Sequence, residues 1–338
     1  MRLPRLRCQS RRCFRPLPLL LLLGLPLLSA CAASAPRPGG WSVPVALSEE
    51  PGAGERAGSL LYRGGLHLEH DDAAFGGLSS LRVSPDGTQF VAISDRAQVV
   101  RGRLGYGADG RLAAASDLRI APLPLDRERN GVTSSDSEGL ALLGAWPGQG
   151  WVVSFERDHR LLRYGADLAG APTRLDGPDG LAGLGFNEGV ETLTSWDDGR
   201  LLLIVEGEEA GLHRGWLGRP GGWQPFRYRA RPSFLPVDAT RLPDGDLVVL
   251  ERRASWTGGW GSRIVRVAAA DLKRAVAADG VVEGVELGRL GPPGIADNFE
   301  GIDARALPDG RVLLYLVSDN NFSGLQRTLL LMFELPKE

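Results

Sequence analysis

The sequence predicts an all-β chain folded as a β-propeller. Three observations carry that expectation. A strand–turn–strand pattern recurs five times from residue 75 onward, successive copies begin 61, 50, 50 and 62 residues apart, and Gly 46 and Pro 23 are spread through 338 residues without a short period. Strands and turns repeating every 40 to 60 residues or so are the signature of propeller blades. With 43% hydrophobic and 24% charged residues, the chain is too apolar for disorder and too charged for a polytopic membrane protein. Collagen, coiled coil and helical solenoid are excluded by the same figures.

Each copy opens with a small or acidic residue beside a glycine or an apolar residue. The openings are Gly76-Gly77-Leu78, Glu138-Gly139-Leu140, Glu188-Gly189-Val190, Val237-Asp238-Ala239 and Glu300-Gly301-Ile302. Turns follow at Pro85-Asp86-Gly87, Pro147-Gly148-Gln149-Gly150, Asp197-Asp198-Gly199, Pro243-Asp244-Gly245 and Pro308-Asp309-Gly310. Asp-Gly between alternating apolar runs is a strong hairpin signal. The second strands, 90–94, 151–155, 201–205, 247–250 and 312–317, are rich in Leu, β-branched and aromatic residues, as buried strands are. Two further strands fit after most hairpins, and only 271–277 reads as helix. The fifth copy leaves room for one more strand, 328–333, so the run 60–68 is expected to supply the missing strand and close the ring. That count gives five blades; a sixth would have to lie in residues 41–75. An open sandwich is the alternative.

Residues 1–30 read as an export address. Ser10-Arg11-Arg12-Cys13-Phe14 has the form of a twin-arginine signal, Leu17 to Leu28 is an apolar run too short to span a bilayer comfortably, and Leu28-Ser29-Ala30-Cys31 resembles a lipobox. Cys31 is therefore the expected lipidation site, and the location a bacterial cell envelope, exported and lipid-anchored. An ordinary signal peptide or an uncleaved anchor is the alternative. Residues 31–58 read as a flexible tether and 59–338 as the propeller domain. The three cysteines, Cys8, Cys13 and Cys31, leave the folded part with no thiol, hence no disulfide framework and no Cys-ligated metal. Without the leader, which carries six arginines and no acid, 33 basic residues face 41 acidic ones. That balance disfavours nucleic acid and anionic membrane surfaces and suits hard cations.

In a propeller the innermost strand and its neighbour place their ends on one rim near the axis. The openings Glu138, Glu188, Asp238 and Glu300 are expected there as an inner ring of carboxylates, with Asp95, Glu156, Glu206, Glu251 and Asp319 as a second tier. Crowded carboxylates raise one another's pKa or demand a cation, and an all-oxygen set favours Ca²⁺ or Mg²⁺. Glu138, Glu188, Asp238 and Glu300 are thus the expected metal ligands, and no organic cofactor is indicated. An arginine follows the acid in Asp95-Arg96, Glu156-Arg157 and Glu251-Arg252-Arg253. Arg96, Arg157 and Arg252 are the expected clamp for an anionic substrate, or else structural ion pairs between blades. His159 is the candidate general base beside Glu188. Trp256 and Trp260 lie in a Gly-flanked loop that could serve as lid, stacking platform or plug. No Gly-x-Ser-x-Gly elbow, P-loop, dinucleotide fingerprint or zinc helix motif is present.

The words Asn187-Glu188-Gly189 and Phe299-Glu300-Gly301, with the strand ends Ile93-Ser94-Asp95-Arg96 and Ser318-Asp319-Asn320-Asn321-Phe322, resemble the phytase-like propeller family, also described as esterase-like activity of phytase. The resemblance spans about residues 60–335. It implies an exported bacterial propeller hydrolysing esters or phosphate esters with a metal. Copy one lacks the carboxylate and copy four has Asp238 in place of the Glu-Gly word. A non-catalytic envelope scaffold and a Ca²⁺-dependent lactonase-like propeller are the competing readings. The expected partner is a small anionic or ester substrate.

Overall fold

The computed structural model describes residues 40–48, 55–126, 135–196, 198–255 and 259–336. The export address and Cys31 lie outside these residues, as do the turn residue Asp197 and Trp256.

Strands β1 (Trp41–Pro44), β2 (Arg56–Ala57) and β3 (Leu60–Glu69) come first. Blade one is β4 (Leu78–Val83), β5 (Gln89–Ser94), β6 (Gln98–Tyr106) and β7 (Leu112–Pro122). Blade two is β8 (Ser137–Leu143), β9 (Gly150–Phe155), β10 (Arg160–Tyr164) and β11 (Thr173–Leu175). Blade three is β12 (Val190–Ser195), β13 (Leu201–Glu209), β14 (Leu212–Gly218) and β15 (Gln224–Tyr228). Blade four is β16 (Leu235–Arg241), β17 (Leu247–Ser255), β18 (Gly259–Val267) and, after helix α1 (Ala269–Ala278), β20 (Val285–Leu290); the short β19 (Val281–Val282) between α1 and β20 pairs in parallel with β15 and adds a fifth strand to blade three. Blade five is β21 (Asn298–Ala306), β22 (Val312–Asp319) and β23 (Thr328–Glu334). The chain's start completes it, with β3 pairing antiparallel to β23 and placing Leu68 opposite Thr328. The described residues therefore form five sheets, whose inner strands touch in the cyclic order β4, β8, β12, β16, β21.

The second strands read as continuous apolar runs because both faces of each blade are covered. Phe90 and Ala92 pack toward blade five, while Val91 and Ile93 on the same strand pack toward blade two. The same partition gives five apolar layers, one between each pair of neighbouring blades. This is the period-two geometry of a strand used on both sides.

Two expectations change. The folded part begins before Ser59: β1 pairs with β3, Trp41 opposite Glu69, and Leu47 is buried against blades four and five. Four residues ending in proline carry too weak a pattern to stand out from a tether. Among the described residues of 41–75 there is accordingly no sixth blade; β1, β2 and β3 form the outer edge of the fifth. The helix expected over 271–277 is α1, slightly longer.

On the axis, β4 sends Arg82 inward as a plug. Its Nη1 and Nη2 reach Asp238 Oδ2 and Oδ1 at 3.0 and 3.2 Å, and also donate to the carbonyls of Ile302 (3.0 Å) and Leu193 (2.7 Å). Asp238 accepts further bonds from Ser80 Oγ and from the amides of Ala239 and Ile302. One guanidinium thus ties blades one, three, four and five together.

Candidate metal centre at the propeller mouth

The first hairpin of every blade carries a bulge at the same place, where register slips at Leu78/Ser80, Ser137/Leu140, Val190/Thr192, Pro236/Asp238 and Phe299/Gly301. A bulge re-aims the extra residue. Those residues are Ser79, Glu138, Glu191, Val237 and Glu300, so three of the five blades aim a glutamate from equivalent positions. The ladder fixes the second tier in the same way. Ser94 faces Leu78, Phe155 faces Ser137, Val205 faces Val190, Glu251 faces Pro236 and Ser318 faces Phe299. The next residues, Asp95, Glu156, Glu206, Arg252 and Asp319, are therefore equivalents: four acids and one arginine.

These groups converge. Carboxylate oxygens of Asp136, Glu138 and Glu156 lie within 4.8 Å of one another, as do those of Glu156, Glu191 and Glu206. Glu156 belongs to both sets and also accepts the Gly189 amide at 3.1 Å. A Cβ on Gly189 would stand 2.6 Å from Glu156 Cγ, so this position must be glycine for the glutamate to sit where it does. Glu138 and Glu191 are only 8% and 7% exposed, and among the described residues no donor hydrogen-bonds to either carboxylate. Burial, reinforced by the neighbouring acids, pushes both well above the usual glutamate range. Burial and the charges of Asp319 and Asp136 lift Asp95 to about 6.

Arg252 is the cation inside this acidic mouth. Its Nη2 lies 2.8 Å from Glu206 Oε1 and its Nη1 2.8 Å from Glu300 Oε1, with Asn298 Oδ1 at 3.1 Å. Glu300 is nonetheless lifted to about 8, by burial first and by Asp319, against the pull of Arg252.

The expected site residues fare differently. Glu138 and Glu300 stand at the mouth on their bulges. Glu188 does not: it is exposed and caps its own loop by accepting the Gly185 amide at 2.9 Å. The Glu-Gly word of copy three lies three residues ahead of the bulge, and Glu191 occupies the equivalent position instead. Asp238 sits one residue past its bulge, fully buried and engaged by Arg82, which corrects its assignment as a metal ligand. His159 is buried rather than exposed. Its Nε2 meets the Gly185 carbonyl at 2.9 Å, which ties the loop before blade three to blade two, and among the described residues its Nδ1 has no hydrogen-bond partner. Glu251 leaves the second tier for the blade interior, where it accepts from Tyr228 at 2.7 Å and pairs with Arg263. Arg96 lies over Phe322, and Arg157 pairs with Asp136 at 3.1 Å. Of the aromatic loop, Trp260 lies 5.9 Å from the Arg252 guanidinium.

Residues 73–322 match the model of the phytase-like family, described as esterase-like activity of phytase. The chain belongs to that family. No curated protein is similar enough to the chain to count as a relative. Among solved structures, this phytase-like chain is similar to one provisionally named a gluconolactonase, at 12% identity and a TM-score of 0.44, over 89% of this chain and 96% of that one. It is also similar to the β-propeller domain of Myceliophteria thermophila Cps50 (Swd1), at 9% identity and a TM-score of 0.37, over 88% and 100%. U3-55K matches at 9% identity and a TM-score of 0.37, over 76% and 95%. At such identities the likeness is one of fold alone.

Two residues of the candidate site, Asp136 and Glu191, had no signal in the repeat words, and neither did the axial Arg82. For Glu191 a usable signal exists. Counted back from the turn glycine, it lies eight residues before Gly199, as Ser79 lies eight before Gly87 and Val237 eight before Gly245.

Proposed function

We infer that this phytase-like propeller is a divalent-cation-dependent hydrolase of esters or phosphate esters. One observation carries the reading: Glu138 and Glu191, more than nine-tenths buried, face other carboxylates, and among the described residues no donor satisfies them. Uncompensated buried carboxylates are costly unless protonated or bound to a cation. The donors are all oxygen, which fits Ca²⁺ or Mg²⁺. Asp136, Glu138, Glu156, Glu191 and Glu206 would hold the ion. When bound, it would polarise the scissile ester and favour ionisation of water.

The remaining work falls to the chain's own side chains. Arg252 fixes Glu206 and Glu300 in place and balances charge on the side of the mouth away from Glu138. Asp95, with its pKa near neutrality, suits a general base that takes a proton from water. The arginines at the rim hold the anionic part of the substrate. The twin-arginine and lipobox words support placement outside the cytoplasm on a Cys31-linked lipid anchor.

The test is a panel of carboxylic esters, phosphate esters and lactones assayed with and without calcium or magnesium, beside Glu191→Gln. Cation-dependent turnover that the variant loses supports the reading. Cation binding with no turnover on any substrate would replace it with a binding propeller, and turnover confined to lactones would move it to a lactonase.

A further inference from the structure

We propose that Arg96, Arg157 and Arg253 form an anion-recognising collar around the acidic mouth, fitted to a ligand with two or more separate anionic groups. The proposal rests on the hydrolase reading for its context and adds the substrate class.

Register comes first. Because Arg252 is the equivalent of Asp95 and Glu156, the equivalent of Arg96 and Arg157 is the next residue, Arg253. Three of the five blades therefore end the second tier with an arginine; the other two have Gly207 and Asn320 there.

Each of the three guanidiniums lies over a phenyl ring. Arg96 is 3.4 Å from the centroid of Phe322, Arg157 is 5.3 Å from that of Phe186, and Arg253 is 5.3 Å from that of Phe234. Phe322 lies in a loop within blade five, whereas Phe186 and Phe234 lie in the connections leading into blades three and four. Arg157 belongs to the blade before its connection and Arg253 to the blade after, so the pairing is not one local motif repeated. A guanidinium resting on a ring keeps its N–H edge in the plane and available.

Those edges are largely uncommitted. Among the described residues, Arg96 and Arg253 donate no guanidinium hydrogen bond and have no carboxylate within ion-pair distance. Arg253 Nε is buried with no partner. Its neighbours over Phe234 are committed: Arg263 to Glu251 and Glu286, and Arg289 to Glu286. Arg157 spends Nε on Asp136 and is otherwise half-exposed. Structural ion pairing would consume these donors in a chain with surplus acid; instead, among the described residues, Arg96 and Arg253 have no carboxylate partner and Arg157 has Asp136 alone, each directly after its blade's second-tier residue. Carboxylate or phosphate groups on different parts of one ligand would complete them, each by a charge-assisted and often bidentate contact.

The experiment is calorimetric titration of the full, calcium-loaded protein with benzenesulfonate, benzene-1,3-disulfonate and benzene-1,3,5-trisulfonate, which cannot be hydrolysed. Affinity is expected to rise about tenfold or more from the mono- to the trisulfonate. Arg96→Gln and Arg253→Gln should each weaken trisulfonate binding by about tenfold, with calcium affinity and melting temperature unchanged. A trisulfonate that binds no more tightly than the monosulfonate, or binds both variants like the wild type, overturns the collar. Binding as expected by a protein that hydrolyses nothing upholds the collar and removes the hydrolase reading instead.

Discussion

Arg252 lies 2.8 Å from Glu300 and holds the position that an acid holds in four of the five blades. It therefore acts as a resident cation held by Glu206 and Glu300, while among the described residues no donor hydrogen-bonds to the carboxylate of Glu138 or Glu191. Replacing it should separate the two halves. In metal-free protein Arg252→Gln strands Glu206 and Glu300 and is expected to cost about 3 kcal/mol. Calcium should return most of that loss, so the calcium-induced rise in melting temperature should be larger than in the wild type. Equal rises would mean that the arginine and the ion do not share a field.

Stability should depend on pH with a definite sign. Glu300 is lifted to about 8 from an ordinary value of 4.5, by burial first, and Glu138 and Glu191 are raised as well. A carboxylate raised in the native state holds its proton longer than in the unfolded chain. Metal-free protein is thus expected to lose stability as pH climbs from about 4.5 to about 8. Calcium would ligate the ionised forms of Glu138 and Glu191 and should flatten their share of that decline. Thermal melts near both ends of the window, with and without calcium, check this: the calcium shift must be larger at the alkaline end.

The axial plug makes a prediction independent of any ligand. Arg82→Met leaves Asp238 buried without its guanidinium, and Asp238→Asn leaves Arg82 without its carboxylate. Each should destabilise by roughly 3–5 kcal/mol, and the double variant by clearly less than the sum. Denaturant melts of the three variants give the coupling directly.

Asp95 should set the acid limb of activity. With its pKa held at about 6 by burial and by Asp319 and Asp136, turnover should rise with pH through a midpoint no higher than that value. Asp95→Asn should lower kcat about a hundredfold and leave calcium affinity nearly unchanged. An unaltered pH profile in the variant would assign the base elsewhere.

Much of this architecture was legible in the sequence. Turn words such as Pro243-Asp244-Gly245 marked the hairpins, and the shortfall of strands after copy five pointed to residues 60–68 as the closing segment, where β3 lies. The site was harder to read, because a bulge has no residue signature. Aligning copies on the Glu-Gly word selected Glu188, whose glycine is needed to make room for Glu156 rather than to mark the mouth. In blade four, aligning on the acid selected Glu251 and Arg252 as tier and rim. The ladder moves both by one residue, and a shift of one reverses the face to which a strand residue points. Arg82 left no trace, since Asp238, Ile302 and Leu193, which it binds, come from three other blades.

The central claim is that a divalent cation binds where Glu138, Glu156 and Glu191 meet. Calcium titration of chelator-stripped wild type, Glu191→Gln and Glu188→Gln tests it most directly. The account predicts saturable binding to wild type and to Glu188→Gln, and its loss in a folded Glu191→Gln protein. Binding that survives Glu191→Gln and vanishes in Glu188→Gln would contradict it.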